Sequence, residues 1–316
     1  MTSPNGIRGI RQVTFGGEVR DIDQGSDSMF VYSAIKDGTF QIFTVGPSGA
    51  SERSLTEGQK AAMAPHFCGG AGIVYVHVGD DLIPHVWRMD ADGENARALT
   101  SGSGESIGDV SRDGSVVLFY RTDTRDVLWK LPTDGGQPVR LGVSSFESSL
   151  LSPSGDRILH TLVHSVEGQG AFSPQIIDLN GDTPVTLAMP PRSIDQQWTP
   201  DGRSLSYLNN INERRNVFLF PLDGGAPREI TRFTDGRLEL HRWSPDGKRL
   251  VVNRRTGNVS NLWVVNADGS NPVPITQFET GSIGNIKWSR DGSQIFFTYG
   301  PASQNVVLIR NFSERG

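Results

Sequence analysis

Trp243-Ser244-Pro245-Asp246-Gly247 decides the fold, because it returns at fixed spacing as Trp198-Thr199-Pro200-Asp201-Gly202 and Trp288-Ser289-Arg290-Asp291-Gly292. The glycines stand at 202, 247 and 292, a period of 45 residues. Working outward, Ser152-Pro153-Ser154-Gly155 and Ser111-Arg112-Asp113-Gly114 hold the same place in earlier copies. Cys68-Gly69-Gly70 is a degenerate copy and Gln24-Gly25-Ser26-Asp27 a weaker one. Seven anchors spaced by about 44 residues nearly exhaust the 316 residues of the chain. A repeat of this length, punctuated by an aromatic and a turn, denotes a β-propeller with one four-stranded blade per copy.

Every copy follows one grammar. After the turn comes a short run of strand formers, such as Phe30-Val31-Tyr32, Ile73-Val74-Tyr75-Val76 or Leu250-Val251-Val252. A second run follows, such as Val86-Trp87-Arg88-Met89 or Leu262-Trp263-Val264-Val265, and both are bounded by Gly, Asp, Asn and Pro. Next is a hairpin of Asp-Gly type at 92–93, 134–135, 223–224 and 268–269, where glycine supplies positive φ. The copy closes on Leu55-Thr56, Leu99-Thr100, Ile230-Thr231 or Ile275-Thr276. No segment sustains a helical period. Arg11-Gln12-Val13-Thr14-Phe15 matches the closing strands at Glu229-Ile230-Thr231-Arg232-Phe233 and Pro274-Ile275-Thr276-Gln277-Phe278, while the last copy ends at Val306-Val307-Leu308-Ile309 without one. The expectation is an all-β, seven-bladed β-propeller of four-stranded antiparallel blades. It forms a single domain over residues 1–316, and its N-terminal strand completes the last blade. Six blades is the alternative count.

A net charge of −5 and the absence of any Lys/Arg run longer than two leave no basic footprint for nucleic acid. The lone Cys68 excludes an internal disulfide framework. No apolar stretch reaches 18 residues, so no membrane insertion by this segment is expected. Met1-Thr2-Ser3-Pro4-Asn5-Gly6 lacks the charged and apolar regions of a secretion signal. The chain is therefore read as either cytoplasmic or a piece of a longer protein, and as monomeric.

The Ser-Pro-Asp-Gly turn, the paired strands, the Asp-Gly hairpin and the Leu/Ile-Thr ending together resemble the TolB-type propeller repeat across all seven copies. More narrowly, the stretch from Gln197 through Gly225 and the ending Val306–Phe312 are similar to the tails of certain bacterial receptor-type Ser/Thr protein kinases and related membrane-bound regulators. That resemblance implies a sensor or interaction region, usually extracytoplasmic, and hence a periplasmic setting. No kinase element is present: Ala34-Ile35-Lys36 has no Gly-rich loop before it and no His-Arg-Asp or Asp-Phe-Gly after it. No Gly-x-Ser-x-Gly elbow occurs either.

Six histidines (His66, His77, His85, His160, His164 and His241) invite comparison with propeller lyases of pectic oligosaccharides, which hold a divalent ion in the funnel. A metal site needs three or four converging ligands, and only His66 and His241 share a funnel position. No metal, cofactor or catalytic residue is therefore expected. Asp201, Asp246 and Asp291 recur at equivalent sites and read as turn residues. The informative positions precede the strand anchors: Asp21, His66, Asp109, Leu150, Gln197, Arg242 and Lys287. They differ in charge while the anchors stay apolar, and function is written in such differences. Asp21, His66, Asp109, Gln197, His241, Arg242 and Lys287 are thus the candidate funnel residues, with Arg242 and Lys287 suited to an anionic group. The expected function is non-enzymatic binding of a protein, peptide or small molecule. A histidine–metal lyase and an envelope scaffold resembling TolB are the alternatives.

Overall fold

The computed structural model describes residues 9–14, 18–25, 29–58, 60–69, 72–121, 127–144, 149–166, 169–180, 184–190, 193–211, 214–300 and 305–309. These residues form seven four-stranded antiparallel sheets. The innermost strands are Val19–Gln24, Ala62–Cys68, Glu105–Val110, Ser149–Leu151, Ile194–Trp198, Arg237–Trp243 and Ser282–Trp288. Six sheets are contiguous stretches of sequence running inner to outer strand. The last joins Ser282–Trp288, Ile295–Gly300 and Asn305–Ile309 to Ile10–Gln12, with Arg11 opposite Leu308. It meets the first sheet through an edge-to-face contact of Phe30 with Phe296, ring centroids 5.0 Å apart.

The expectation of a seven-bladed propeller closed by the N-terminal strand is corrected here to six blades and one further, composite sheet. Six sheets are each one contiguous repeat, whereas the remaining sheet is a composite that takes its short fourth strand, Ile10–Gln12, from the other end of the sequence. Of the five residues expected to form that strand, Val13 and Thr14 lie beyond it, and Phe15 is outside the described residues. The outer strand is also reduced to two residues in five of the other sheets, for example Arg53–Ser54 and Val273–Pro274. The physical reason lies in the Leu/Ile-Thr ending. The Thr hydroxyl accepts the backbone N–H of the third strand, which a longer outer strand would otherwise take: Thr56 from Ile42, Thr100 from Val86, Thr231 from Val217 and Thr276 from Leu262, all at 2.8–2.9 Å. The repeat signature thus terminates the sheet instead of extending it.

The second strands read as unbroken apolar runs because both faces of a blade are covered by its neighbours. Leu250, Val251, Val252 and Asn253 are all fully buried, as are Ile73, Val74 and Tyr75. The Trp-turn signature is a self-contained network. Ser244 Oγ donates to Asp246 Oδ1 and accepts from the Arg249 amide, and Asp246 Oδ1 accepts from the Lys248 amide. Thr199/Asp201 and Ser289/Asp291 repeat it. Gly202, Gly247 and Gly292 adopt φ between +66° and +72°, which only glycine takes without strain. The three aspartates are turn residues, and their hydroxyl and amide donors hold the Asp246 and Asp291 carboxyls below the usual carboxylate range. No helix of the described residues is long and apolar enough to cross a membrane.

Candidate functional site at the funnel mouth

The inner strands converge on two adjoining cavities. One, of about 360 Å³, is lined by the third to seventh sheets, including Asp109, Leu151, Gln197, Trp198, Arg242, Trp243 and Lys287. The other, of about 200 Å³, is lined by Asp23, His66, Phe67, Asp109, Ser111 and Lys287. Val110, Arg112 and Arg290 border both, as do Asp109 and Lys287. Of the candidates, His66, Asp109, Gln197, Arg242 and Lys287 come together here; Asp21 and His241 do not.

Asp21 is displaced by a register error of two residues. Gln24, not Ile22, pairs with Phe30 as Phe67 pairs with Ile73, so Asp23 holds the position that His66 occupies in the next sheet, and Asp21 falls in the bulge between Val19 and Ile22. Asp21 instead accepts hydrogen bonds from Ser33 Oγ at 3.0 Å and from the Ala64 amide of the next sheet at 3.3 Å. Similar bulges interrupt all the inner strands except Ser149–Leu151. A bulge re-aims side chains locally, which period-two counting does not anticipate.

His241 is completely buried and structural. Trp243 Nε1 donates to Ser206 Oγ (2.8 Å), Ser206 Oγ lies 2.7 Å from His241 Nε2, and His241 Nδ1 lies 2.9 Å from Asp195 Oδ2. The order Ser–His–Asp is that of a nucleophilic triad, but fully buried Ser206 is closed to substrate and already accepts the indole proton. Asp195, in a bulge at φ +48°, also accepts from the His241 amide at 2.7 Å and from Arg242 Nη1 at 2.7 Å. Burial raises its pKa, but Arg242 and His241 outweigh burial and hold the carboxyl below its ordinary value.

The inner carboxylates share a structural duty. Asp23 accepts from the Phe67 amide at 3.0 Å, Asp109 from Leu151 at 2.7 Å and Asp195 from His241, each in the following sheet. They stitch blade to blade. Lys287 Nζ pairs with Asp23 Oδ1 at 2.9 Å, so neither member of the proposed anion-binding pair is free: Arg242 is tied to Asp195 and Lys287 to Asp23. Burial is the largest influence on Asp23 and raises its pKa, yet Lys287 and His66 leave the net shift downward. Burial depresses the pKa of His66. Asp109 has no ion pair among the described residues, and burial pushes it up to about 6 against the amide bonds from Leu151 and Val110 and the more distant charge of Lys287. A carboxyl-carbon NMR titration should therefore give Asp109 a midpoint near 6; a midpoint at the ordinary value of 3.8 would contradict its burial.

Of the arginines and lysines lining the two cavities, Arg112 and Arg290 have no ion pair or side-chain hydrogen bond to a described residue, and both are exposed at the mouth. Sequence reasoning missed them. The signal was in plain view, since both stand where Pro153, Pro200 and Pro245 occupy the same turn position in three other repeats, and all five residues line the larger cavity.

The histidines do not assemble. His85 Nδ1 lies 2.7 Å from buried Glu105, His160 Nε2 lies 2.9 Å from Gln175, and His77 packs edge-on against Trp87. The His164 side chain lies outside the described residues. No cluster of three or more His, Cys, Asp or Glu able to hold a metal occurs among the described residues. A further cavity of about 530 Å³ lies against Arg254, Asn261, Trp263, Thr276 and Phe278. There Asn261 bridges Thr276 and Phe278 just as Asn216 bridges Thr231 and Phe233 one repeat earlier, so its lining asparagine has a structural role that the fold repeats.

Comparison with known proteins places this geometry. Residues 155–307 match the family described as PD40, TolB beta propeller domain. An uncharacterized protein of Agrobacterium fabrum (strain C58) is 27% identical over 186 residues, 54% of this chain. The match spans 62% of that relative's length. A putative TolB from Agrobacterium tumefaciens superposes with TM-score 0.54 at 21% identity, covering 68% of this chain and 80% of that one. An oligogalacturonate lyase from Vibrio parahaemolyticus superposes with TM-score 0.74 at 11% identity, covering 95% and 93%. At such identities the two structures share the fold and nothing finer. The chain is an all-β propeller whose residues 155–307 match the TolB beta propeller family.

Proposed function

We propose that the chain is a non-enzymatic binding module whose ligand sits at the funnel mouth, serving as the sensing or interaction part of an extracytoplasmic bacterial protein. The observation carrying this reading is that one pair of adjoining cavities collects the positions at which the repeats differ: His66, Asp109, Arg112, Gln197, Arg242, Lys287 and Arg290. A surface under purely structural demands would repeat its residues as the turns and Thr endings do. Concave, partly apolar sites with a few convergent polar groups are the usual form of a ligand pocket. The Ser206–His241–Asp195 chain is sealed from solvent, and every described histidine ring except that of His66 is engaged elsewhere, which favours binding over turnover.

The test is a thermal-shift screen of small metabolites and short peptides against the wild type and Gln197→Trp, which fills the larger cavity. A stabilising compound should lose its effect in Gln197→Trp. Equal stabilisation of both proteins would move the site away from the funnel, and chemical conversion of a stabilising compound, followed by mass spectrometry, would replace binding by catalysis.

A further inference from the structure

We infer that the funnel mouth recognises an amphipathic organic anion: a carboxylate or phosphate held between Arg112 and Arg290, carrying an apolar or planar body that lies in the larger cavity. This rests on the binding-module reading and narrows it to a ligand class. Arg112 comes from the third sheet's turn and Arg290 from the seventh, yet both border both cavities. Their guanidinium groups have no ion pair among the described residues, whereas Arg242 and Lys287 are each paired with an aspartate. A planar guanidinium fork matches carboxylate and phosphate oxygens bidentately, which a single ammonium cannot do.

The charge around the mouth agrees with a single anionic head. Lys287 is offset by Asp23 and Arg242 by Asp195, which leaves Asp109 as the remaining carboxylate that lines the cavities with the two arginines. The turn carboxylates next to them, Asp113 and Asp291, accept from Ser111 and Ser115 and from Ser289 and Ser293. Asp109 is already committed to the Leu151 and Val110 amides and is therefore turned toward backbone. In a chain of net charge −5, this local excess of positive charge is a departure and not a reflection of composition.

The apolar half of the site comes from the repeat itself. Pro153, Pro200 and Pro245 form the rim of the larger cavity, with Leu151, Trp198 and Trp243 behind them. Proline and indole surfaces accept a flat or aliphatic body. Because the turn prolines stand at the same position as the two arginines, each of the last five repeats offers the mouth either an apolar ring or a charged fork. Three contribute the ring and two the fork.

The substitution that tests this is written in the protein's own repeats. Arg112→Pro with Arg290→Pro gives both turns the Ser-Pro-Asp-Gly form found at 244–247, and no hydrogen bond among the described residues uses either arginine's amide. The pair Arg112→Gln/Arg290→Gln serves if the proline variant fails to fold. Calorimetric titration would use 2-naphthoate and 1-naphthyl phosphate as the two anionic arms, 2-naphthalenemethanol as the neutral body and inorganic phosphate as the head without a body. At least one naphthyl anion should bind about tenfold or more tightly than the alcohol and than inorganic phosphate, and should lose about tenfold or more in the double variant. Which anion binds better separates a carboxylate ligand from a phosphate one. If the alcohol binds as well as both anions and Gln197→Trp abolishes binding, the anionic head is overturned while the funnel module stands. If a naphthyl anion binds unchanged in the double variant and in Gln197→Trp alike, both fall. If no probe binds, or inorganic phosphate matches naphthyl phosphate, the inferred ligand class is overturned.

Discussion

Asp195→Ala should destabilise the protein by about 3–5 kcal/mol, read as a lower denaturant midpoint, because it removes one partner from a buried set of charges and donors. Asp195 accepts the His241 amide, faces His241 Nδ1 and binds Arg242 Nη1. Without it a fully buried imidazole loses its partner and the guanidinium loses its counter-charge next to a cavity. Alanine also fits the φ of +48° poorly, whereas aspartate and asparagine tolerate it. Asp195→Asn should accordingly cost less, since the backbone conformation and one acceptor survive. The pH dependence has a definite sign. The folded carboxyl titrates below its ordinary 3.8, so the stability it contributes is present above that value and disappears as pH falls through the folded pKa. The gap between wild type and Asp195→Ala should therefore narrow in acid. A gap that stays constant down to pH 2 would show that packing, not charge, carries the effect.

Trp288→Ala should cost a similar amount, about 3–5 kcal/mol, the usual penalty for emptying a large aromatic site in a core. Trp288 is 8% exposed and packs with Val251, Ile275, Ile286 and Phe297. Its Nε1–H donates to the Arg242 carbonyl of the sheet before it at 3.0 Å, and Arg249 stacks over the ring with its guanidinium carbon 5.1 Å from the centroid. Trp198 repeats the arrangement with the Leu150 carbonyl and Arg157. The tryptophan therefore acts as a wedge between successive blades and also as an inter-blade hydrogen-bond donor. Trp288→Phe separates the two duties. It keeps most of the apolar body and should lose only about 1–3 kcal/mol, for the buried carbonyl left without its donor. If Trp288→Ala unfolds at the same denaturant concentration as the wild type, the wedge role is wrong.

The two variants bear on one arrangement. Carboxylates at the inner ends of the strands accept amides from the next sheet, and tryptophans donate to carbonyls of the previous one. Asp109 and Asp195 thus hold the blades in register around the funnel as well as shaping its charge. This is why residues singled out for ligand recognition prove to be partly structural, and why the unpaired arginines at the rim are the better candidates for contact with a ligand.

The sequence by itself determined the all-β architecture, the repeat and the turn chemistry. The Ser-Pro-Asp-Gly network closes within six residues and the Thr ending within one blade, so local rules suffice to read them. It also located five funnel residues, because strand position relative to a tryptophan or its equivalent survives alignment of the copies. What it could not determine were interactions between copies. The pairing of Gln24 with Phe30 that moves the first-sheet position from Asp21 to Asp23 is hidden by a degenerate copy of the turn, and the Asp195–His241–Ser206 chain, the pairing of Lys287 with Asp23 across 264 residues and the shared cavity of Arg112 and Arg290 all join residues from different repeats. Periodicity fixes which residues are equivalent; only the tertiary arrangement of the blades, with their bulges and inter-blade hydrogen bonds, decides which of those equivalents meet.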